Sequence, residues 1–429
     1  MKKSIFFKST IILIFGSLFT KGLGLIIRII LTRTIGTDGI NLYSLIMPTY
    51  SLIIAITQMG LPMAISTLVA RGNKRSKKII LSVLPITLVL NITMITLIII
   101  SSKFIATNLL DNQAATYPIM SLAVVLPFIS ISSILRGYFF GKQKMIPHTV
   151  SNIIEQIVRL TIIMLLLPVL VKKGPVYAVS GFVLLSAISE CVSIVVFLIY
   201  LPKNFTIKKD EIKPDISTTK EILNLSLPTI SGRLIGNIAY FFEPIILTYV
   251  LKLSGYSLLS IQGEYGIYNA YSLPLLVIPS FIVQAISTSL IPEISRSYEL
   301  RDKKNINKRL RQSLSITLAI GIITNAVVFL VPDLFLKLVY NTNKGVNYIK
   351  VLAPFFVLYN LEGPLASILQ ALGKTKKAFR ATTIGVLIKT LSIAVLSFLH
   401  IGLYGLVIGE ILNILIVVTI DAFYIKKEV

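Results

Sequence analysis

The sequence of 429 residues has little cysteine, histidine and charge, and it has no tryptophan. A single cysteine, Cys191, excludes a disulfide within the chain. The two histidines, His148 and His400, are far apart in sequence, so with Cys191 they form no metal-ligand spacing. Only 14% of the residues are charged, against roughly 25% in soluble domains, and 55% are hydrophobic. This composition excludes a soluble globular protein.

Motifs for nucleotide hydrolysis and nucleophilic catalysis are also missing. Gly373-Lys374-Thr375 has the ending of a phosphate-binding loop, but Ile368 stands where the first glycine of that loop is required. We therefore expect no ATP hydrolysis, no cofactor, no metal and no enzymatic activity. A membrane glycosyltransferase is a remaining alternative, with Asp111 and Glu264 as its candidate acids in outer loops.

Apolar blocks of about 20 residues or more, long enough to cross a membrane as helices, fill most of the chain. We predict about twelve spans, at residues 9–34, 40–70, 79–102, 114–140, 146–170, 175–201, 220–250, 265–295, 312–336, 346–372, 378–399 and 402–425. The first is interpreted as a retained span, because Lys21 and Arg28 interrupt it and no small-residue cleavage site is present. The predicted fold class is an all-α polytopic membrane protein.

The charge is strongly basic, with 42 Lys and Arg against 18 Asp and Glu and a formal net charge of +24. The basic residues are mainly in short connections between apolar blocks, which argues against nucleic-acid binding and follows the positive-inside rule. Alternating the connections between the two sides places about 28 Lys and Arg on the side of the amino terminus and about 7 on the other. We predict a protein of the cytoplasmic membrane with both termini in the cytoplasm.

Two halves are separated by a polar segment, 202–219, which we predict to be a cytoplasmic linker between six-helix bundles at 1–201 and 220–429. Short matches at an offset near 230 residues indicate an ancient duplication: Leu61-Pro62 with Ile291-Pro292, Ile65-Ser66 with Ile294-Ser295, and Leu135 with Leu369. Six helices per half predict a pseudo-twofold axis along the membrane normal, an architecture typical of transporters with a site between the bundles. Such a protein can work as a monomer by alternating access.

Cations inside predicted spans are costly, about 2.5–3.5 kcal/mol each at a helix centre, so they mark functional candidates. Lys21 and Arg28 are two turns apart on one face of the first span, which favours contact with an anion. The alternatives are that Lys21 extends to the membrane surface or that Arg28 pairs with a carboxylate. Arg233 in the seventh span and Lys389 in the eleventh are further candidates, facing a cavity or pairing across helices.

A polar stripe on the fifth span joins His148, Asn152, Glu155 and Arg159 at steps of 4, 3 and 4 residues. Glu155 lies four residues before Arg159, the favourable order for an intrahelical ion pair. The first interpretation of this stripe is a neutral pair that holds the bundle together.

Isolated acids occur in other spans, at Glu190, Glu243, Glu362 and Glu410. A carboxyl group in a membrane interior can take up and release H⁺ or Na⁺, so these acids are candidates for coupling transport to an ion. We select Glu155, Glu243, Glu362 and Glu410 as the predicted coupling residues.

Several motifs resemble the stage V sporulation protein B family, which is grouped with polysaccharide exporters and MurJ-type lipid II flippases. They are Lys21-Gly22-Leu23-Gly24-Leu25-Ile26-Ile27-Arg28, Arg33-Thr34-Ile35-Gly36, Gly60-Leu61-Pro62-Met63-Ala64-Ile65-Ser66, Leu135-Arg136-Gly137-Tyr138-Phe139 and Leu369-Gln370-Ala371-Leu372-Gly373-Lys374. The resemblance runs through nearly the whole chain.

This resemblance implies a flippase that moves a lipid-linked sugar diphosphate, on an undecaprenyl carrier, across the membrane in spore-cortex or cell-wall synthesis. It implies substrate contacts from the first span, where Lys21 and Arg28 match, and the predicted substrate-binding set is completed by Arg33, Arg159, Arg233 and Lys389. The MurJ-type arginines of the second and eighth spans have no counterpart here. Alternatives are a cation-coupled multidrug exporter of the same superfamily and a membrane scaffold of spore envelope assembly.

Overall fold

The computed structural model describes residues 2–72, 76–202 and 215–428, except the side chains of 2–14, 228, 229, 231–233, 288, 289 and 292. All regular secondary structure in these ranges is helical, and none of it is β-strand. The sixteen α-helices are α1 Lys2–Thr34, α2 Gly36–Gln58, α3 Leu61–Arg71, α4 Ser76–Phe104, α5 Thr116–Gly141, α6 Met145–Val171, α7 Pro175–Ile199, α8 Ile216–Leu253, α9 Leu258–Ile267, α10 Leu273–Val277, α11 Ser280–Glu299, α12 Lys303–Leu330, α13 Pro332–Tyr340, α14 Val346–Ala371, α15 Thr375–Leu396 and α16 Tyr404–Glu428.

Eleven segments of the described chain are long and apolar enough to cross a membrane, or twelve if one bent pair of helices counts as a span. The predicted all-α polytopic fold class is confirmed. Large apolar side chains lie exposed along these helices, such as Phe15 at 69%, Leu165 at 68% and Ile199 at 74%. Helices suit this environment because each satisfies its own backbone hydrogen bonds where no water is present.

Two predicted spans contain a break that the apolar pattern did not show. Within 40–70, α2 ends and α3 begins at Met59 and Gly60, whose φ angles of 43° and 64° are left-handed. Pro62 has no N–H to give the carbonyl of Gln58, so the helix cannot continue unchanged through this point. Within 265–295, the helices bend by 50° at Ile278 and Pro279, after a π-helical turn at Tyr268–Ser272.

The contacts divide the chain into two compact units, Met1–Phe241 and Phe242–Val429, so the division falls inside α8. The start of α8 belongs to the first unit because ion pairs hold it there: Arg71 to Glu221 at 3.3 Å and Lys78 to Asp215 at 3.1 Å. The predicted linker at 202–219 lies mostly outside the described residues, and the bundle boundaries drawn from it stay a prediction.

The side chain of Asp215 also accepts hydrogen bonds from the first turn of α8. Its Oδ1 accepts the backbone N–H of Ser217 at 3.1 Å, and its Oδ2 accepts the hydroxyl of Thr218 at 2.7 Å. The Thr218 hydroxyl and the Lys78 ammonium together hold the pKa of this carboxyl well below its ordinary value. The ionised carboxylate therefore stabilises the first turn of α8.

Each unit has an apolar core at residues that the repeat comparison matched. In the first unit Leu61, Ile65 and Leu135 lie in one buried cluster. In the second, Ile294 and Leu369 are buried and Ile291 packs against the same cluster. The matched positions thus have the same role in both cores, which supports the duplication as the origin of the pattern.

Close packing in the first core depends on Gly137 and Gly141, a GxxxG pair on α5 that faces α3. A Cβ atom at Gly137 would lie 2.8 Å from the carbonyl oxygen of Pro62, and one at Gly141 would lie 2.7 Å from that of Ser66. Small residues at this spacing let membrane helices approach at backbone distance. The two glycines therefore fix the position of α3, the shorter helix after the Met59 break.

Candidate functional site: charged clusters within the spans

Helix α1 carries the three predicted cations of the first span, Lys21, Arg28 and Arg33. Lys21 and Arg28 are half-buried, whereas Arg33 is exposed in the last turn. The helix is held close to α6 at Gly16, where a Cβ atom would lie only 2.2 Å from a methyl group of Thr149. Lys21 and Arg28 thus lie on a helix whose position relative to α6 is fixed by contact.

Helix α6 forms the predicted intrahelical ion pair. Arg159 Nη2 lies 3.1 Å from Glu155 Oε1, and Arg159 Nε donates to the hydroxyl of Ser189 on α7 at 3.1 Å. Glu155 is 5% exposed, so the pair lies in the interior of the unit. The predicted intrahelical ion pair is therefore present, and its role in holding the bundle together stays a prediction.

The stripe continues toward the start of α6 through the side chains of Asn152 and His148. Asn152 Nδ2 lies 3.2 Å from His148 Nε2, and Arg136 on α5 donates to Asn152 Oδ1 at 3.5 Å. His148 is therefore part of a hydrogen-bonded row that links α5 to α6. Among the residues that the structure describes, no three His, Cys, Asp or Glu are grouped closely enough to hold a metal ion.

These charges form one group in the first unit, which we call the amino-terminal cluster: Arg28, Arg136, Glu155, Arg159 and Glu190. Glu155 interacts electrostatically with Glu190, Arg159 and Arg136. Arg28 and Arg159 both interact electrostatically with the phenol of Tyr43 on α2. Helices α1 and α6 therefore bring two guanidinium groups to the same region. With three guanidinium groups and two carboxylates, the cluster is suited to an anion.

A different group lies in the second unit, around Lys389 on α15. Its Nζ atom lies 2.8 Å from Glu243 Oε2 on α8 and 2.6 Å from Glu410 Oε2 on α16. The phenol of Tyr265 on α9 donates to Glu243 Oε1 at 3.1 Å. Glu243 and Glu410 are therefore not the isolated acids that the sequence suggested, since one ammonium joins them.

Two more acids extend this group along α14 and α16. Glu362 interacts electrostatically with Glu410 and with Asp421, which is 1% exposed. One carboxylate oxygen of Glu362 and one of Asp421 are buried and have no hydrogen-bond partner in the described structure. We call Glu243, Glu362, Lys389, Glu410 and Asp421 the carboxyl-terminal cluster. Its four carboxyl groups and single ammonium give it the opposite charge balance.

Asp421 was not among the residues predicted from the sequence, because it stands close to the basic end of the last span. A signal was present, since Glu410, Ile414, Val417 and Asp421 follow at helical spacing and all four are buried. Of the predicted substrate-binding residues, the structure pairs Arg159 and Lys389 with acids. The side chain of Arg233 lies outside the described residues, and the roles assigned to the whole set stay predictions.

The acids named for a glycosyltransferase lie in different units. Glu264 on α9 accepts the hydroxyl of Tyr348 at 2.5 Å, and Asp111 follows the π-helical turn Ile105–Leu109 with a φ of 52°. Because Glu264 is engaged by a buried phenol, its described surroundings indicate a structural contact.

Comparison with family descriptions gives two matches. A family described as polysaccharide biosynthesis protein matches residues 6–298, which is more than half of the chain, and the MatE family matches residues 270–395. The two matched ranges together run from the first span to the eleventh.

Two relatives in Bacillus subtilis (strain 168) align over most of the chain. Stage V sporulation protein B is 34% identical over 438 aligned positions, which cover 100% of this chain and 85% of that protein. Lipid II flippase MurJ is 26% identical over 415 positions, which cover 89% and 75%.

Solved structures with a similar fold are multidrug resistance MATE and related MOP transporters. An inward-facing multidrug resistance MATE transporter of the MOP superfamily superposes with a TM-score of 0.75 at 16% identity, covering 96% of this chain and 94% of that chain. A MOP superfamily transporter from Pyrococcus furiosus, described with a binding pocket of reverse polarity, has a TM-score of 0.71 at 15% identity, covering 98% and 95%. At these identities the likeness concerns the fold alone.

Proposed function

Because this chain belongs to the polysaccharide biosynthesis protein family and is a membrane transporter of the MOP superfamily, we propose that it is a flippase. Its substrate is an undecaprenyl diphosphate-linked oligosaccharide or peptidoglycan precursor, moved across the cytoplasmic membrane with both termini in the cytoplasm. Stage V sporulation protein B supports a place in spore-cortex or cell-wall synthesis, and the MurJ relative supports a lipid-linked substrate.

The observation that carries this proposal is the excess of cations in the amino-terminal cluster. Arg28 and Arg159 of this cluster both interact electrostatically with the phenol of Tyr43. Lys21, which is not part of the cluster, lies half-buried on the same face of α1 as Arg28. A diphosphate offers several anionic oxygens to such groups, and guanidinium binds them by paired, charge-assisted hydrogen bonds. We assign Lys21 and Arg28 as the main headgroup contacts, with Arg33 at the exposed end of α1 and Arg233 as further contacts.

Arg159 and Lys389, the two cations that pair with acids, have different proposed roles. Arg159 is held by Glu155 and Ser189, so it contributes positive potential with its geometry already set. Lys389 is shared by two carboxylates at 2.8 and 2.6 Å, which makes it a partner of the coupling acids Glu243 and Glu410. Glu155 and Glu362 complete the proposed coupling set, with H⁺ or Na⁺ as the coupled ion.

The experiment is native mass spectrometry of the purified protein offered undecaprenyl diphosphate, lipid II and a cationic drug together. The test variant is Lys21→Ala with Arg28→Ala. The matched control is Lys172→Ala with Lys173→Ala, two exposed lysines after α6. We expect wild type and control to retain the diphosphate lipids and the test variant to lose at least about tenfold in their binding, equivalent to about 1.4 kcal/mol.

Other outcomes would overturn the proposal. Equal retention of the diphosphate lipids by the test variant would remove α1 from the site. Retention of the drug alone would favour a multidrug exporter whose site is the carboxyl-terminal cluster. Binding of neither ligand by folded wild type would favour a scaffold in spore envelope assembly.

A further inference from the structure

A pocket of about 960 Å³ lies in the first unit, near the end of α4 and where α5 and α7 begin. A 3₁₀ turn, Gln113–Ala115, precedes α5 there, and the backbone N–H of Ala114 donates to Asn112 Oδ1 at 3.0 Å. No residue of the amino-terminal cluster lines this pocket. Protein interiors contain few voids larger than a water molecule, so a space of this size is a candidate binding site.

Helices α5 and α7 line the pocket with the same order of side chains. On α5, Tyr117 lies in the first turn and Val124 follows seven residues later. On α7, Tyr177 lies in the first turn and Leu184 follows seven residues later. Seven residues are about two turns, so on each helix the apolar residue lies on the face of the tyrosine and about 10 Å deeper.

The pocket is continuous with the apolar surface that faces the membrane. Tyr117 is 67% and Tyr177 59% exposed, and Ile99 and Val124 are exposed lining residues on helices that are long and apolar enough to cross a membrane. Tyrosine is enriched where the hydrocarbon core meets the headgroups, so the two phenols mark that level. A depth of about 10 Å stays within one half of a hydrocarbon core of about 30 Å.

The chemistry of the lining indicates an uncharged amphiphile. The deeper part is mainly apolar, with Ile99 and Leu184 among its residues, so it suits a hydrocarbon chain and not water. The amide of Gln113 and the phenols of Tyr117 and Tyr177, which we call the rim, are uncharged donors at the level of the headgroups. None of the described lining residues is charged.

A phospholipid fits this order of groups better than a polyprenyl diphosphate does. In a phospholipid, uncharged ester carbonyls stand between the acyl chains and the phosphate, and they can accept hydrogen bonds from the rim. In a polyprenyl diphosphate the charged group is attached directly to the hydrocarbon, so it would lie among uncharged residues. The amino-terminal cluster, with its guanidinium groups, is the better partner for that charge.

We propose that this pocket binds one acyl chain of a phospholipid, with the ester carbonyls at the rim. With both termini in the cytoplasm, the site belongs to the outer leaflet. The inference goes beyond the proposed function, since the bound lipid is not the transported substrate, and it rests on that function only for the choice of leaflet. A lipid held there joins the start of α5 to the start of α7.

The experiment uses the lack of tryptophan in the natural chain. Tyr177→Trp places one indole at the rim, and the matched control Tyr249→Trp places one at an exposed tyrosine of α8. Each full-length protein is equilibrated with phosphatidylcholine that carries bromine on its acyl chains, because bromine quenches a nearby indole. The protein is then diluted into detergent with an excess of unbrominated phosphatidylcholine, so that recovery of fluorescence measures release of the brominated lipid.

We expect the fluorescence of Tyr177→Trp to recover at least about tenfold more slowly than that of Tyr249→Trp, because a chain held in a pocket dissociates more slowly than a lipid on the surface. Adding Ser121→Phe, whose ring occupies the pocket, should remove the slow recovery. The Ser121 hydroxyl donates to a carbonyl of its own helix at 2.8 Å, so no hydrogen bond between helices is lost. The matched control Thr161→Phe changes a hydroxyl bonded in the same way on α6, at 2.9 Å, and should keep the slow recovery.

Equal recovery rates for the two reporters would overturn the proposed lipid site. Slow recovery that persists in a folded Ser121→Phe would do the same. Displacement of the slowly released lipid by an equal amount of undecaprenyl phosphate would identify an isoprenoid chain as the occupant and overturn the phospholipid assignment. If Ser121→Phe does not fold, Tyr117→Ala decides, with a recovery rate expected to approach that of Tyr249→Trp.

The outcome is separable from that of the proposed function, because every variant of this experiment keeps Lys21 and Arg28. Equal recovery rates together with retention of diphosphate lipids by wild type would overturn the phospholipid site alone. Slow recovery in Tyr177→Trp together with no retention of diphosphate lipids by wild type would overturn the flippase and support the phospholipid site.

Discussion

The ammonium of Lys389 lies 2.6 Å from a carboxylate oxygen of Glu410, in the interior of a unit built from membrane-spanning helices. Glu243 holds the same ammonium from α8 at 2.8 Å. One cation thus connects α8, α15 and α16. Each partner is costly to bury alone, so the three side chains stabilise the unit only as a group.

The first prediction concerns this group. Lys389→Met should lower the free energy of unfolding by about 3–5 kcal/mol, because two buried carboxylates lose their cation. Adding Glu410→Gln to it should restore about 1–3 kcal/mol. The chain has no tryptophan, so the measurement is thermal unfolding of a fluorescent-protein fusion followed by size exclusion.

Lys103→Met, at an exposed lysine near the end of α4, is the matched control and should match wild type. A melting temperature of Lys389→Met equal to that of the control would contradict the prediction. A lower melting temperature for Lys389→Met with Glu410→Gln than for Lys389→Met alone would also contradict it.

The second prediction concerns the close approach of α5 to α3. Gly137→Ala places a methyl group 2.8 Å from the carbonyl oxygen of Pro62, and backbone atoms cannot turn aside as a side chain does. We expect a loss of about 1–3 kcal/mol in the free energy of unfolding, measured by the same thermal assay.

Its control is Gly236→Ala on α8, where no atom lies within 4 Å of the added methyl group. Alanine favours a helix over glycine by about 1 kcal/mol, so this control should equal or exceed wild type in stability. Equal melting temperatures for the two alanine variants would show that α3 and α5 are not in backbone contact.

The third prediction concerns pH. Because the pKa of Asp215 is held below its ordinary value of about 3.9, its ionised form adds stability that is complete above about pH 4. That stability is lost as the pH falls further, through the lower pKa of the folded state. Asp215→Asn should therefore melt at a lower temperature than wild type at neutral pH, with a difference that narrows below about pH 4.

Melting curves of both proteins over a pH series test this. Thr218→Val removes the hydroxyl that acts most strongly on Asp215 and should reproduce part of the loss at neutral pH. A difference between wild type and Asp215→Asn that stays constant at low pH would exclude the charge as its source.

Local patterns along the sequence predicted local structure well. The spans follow from runs of apolar residues, and the ion pair of Glu155 with Arg159 follows from their four-residue spacing on one helix. The break at Met59 and Gly60 also had a local signal, in a glycine followed two residues later by Pro62. It was missed because the apolar pattern continues across it without interruption.

The group around Lys389 could not be predicted in the same way. Glu243 precedes Lys389 by 146 residues, and their contact depends on how α8 and α15 pack, which apolar patterns do not determine. A charged residue inside a span indicates that it has a partner, but which residue that partner is depends on three-dimensional packing. For this reason the sequence left substrate binding and pairing across helices both open for Lys389, and the structure identifies Glu243 and Glu410 as the acids with which it pairs.

The single cysteine has a practical consequence. Cys191 is exposed on α7, next in sequence to Glu190 of the amino-terminal cluster. A thiol reagent that carries a fluorophore or spin label therefore has one possible position of attachment on the natural chain. No cysteine has to be removed or introduced first, and none of the substitutions described above alters it. The wild-type sequence already provides one defined position for a spectroscopic reporter on α7.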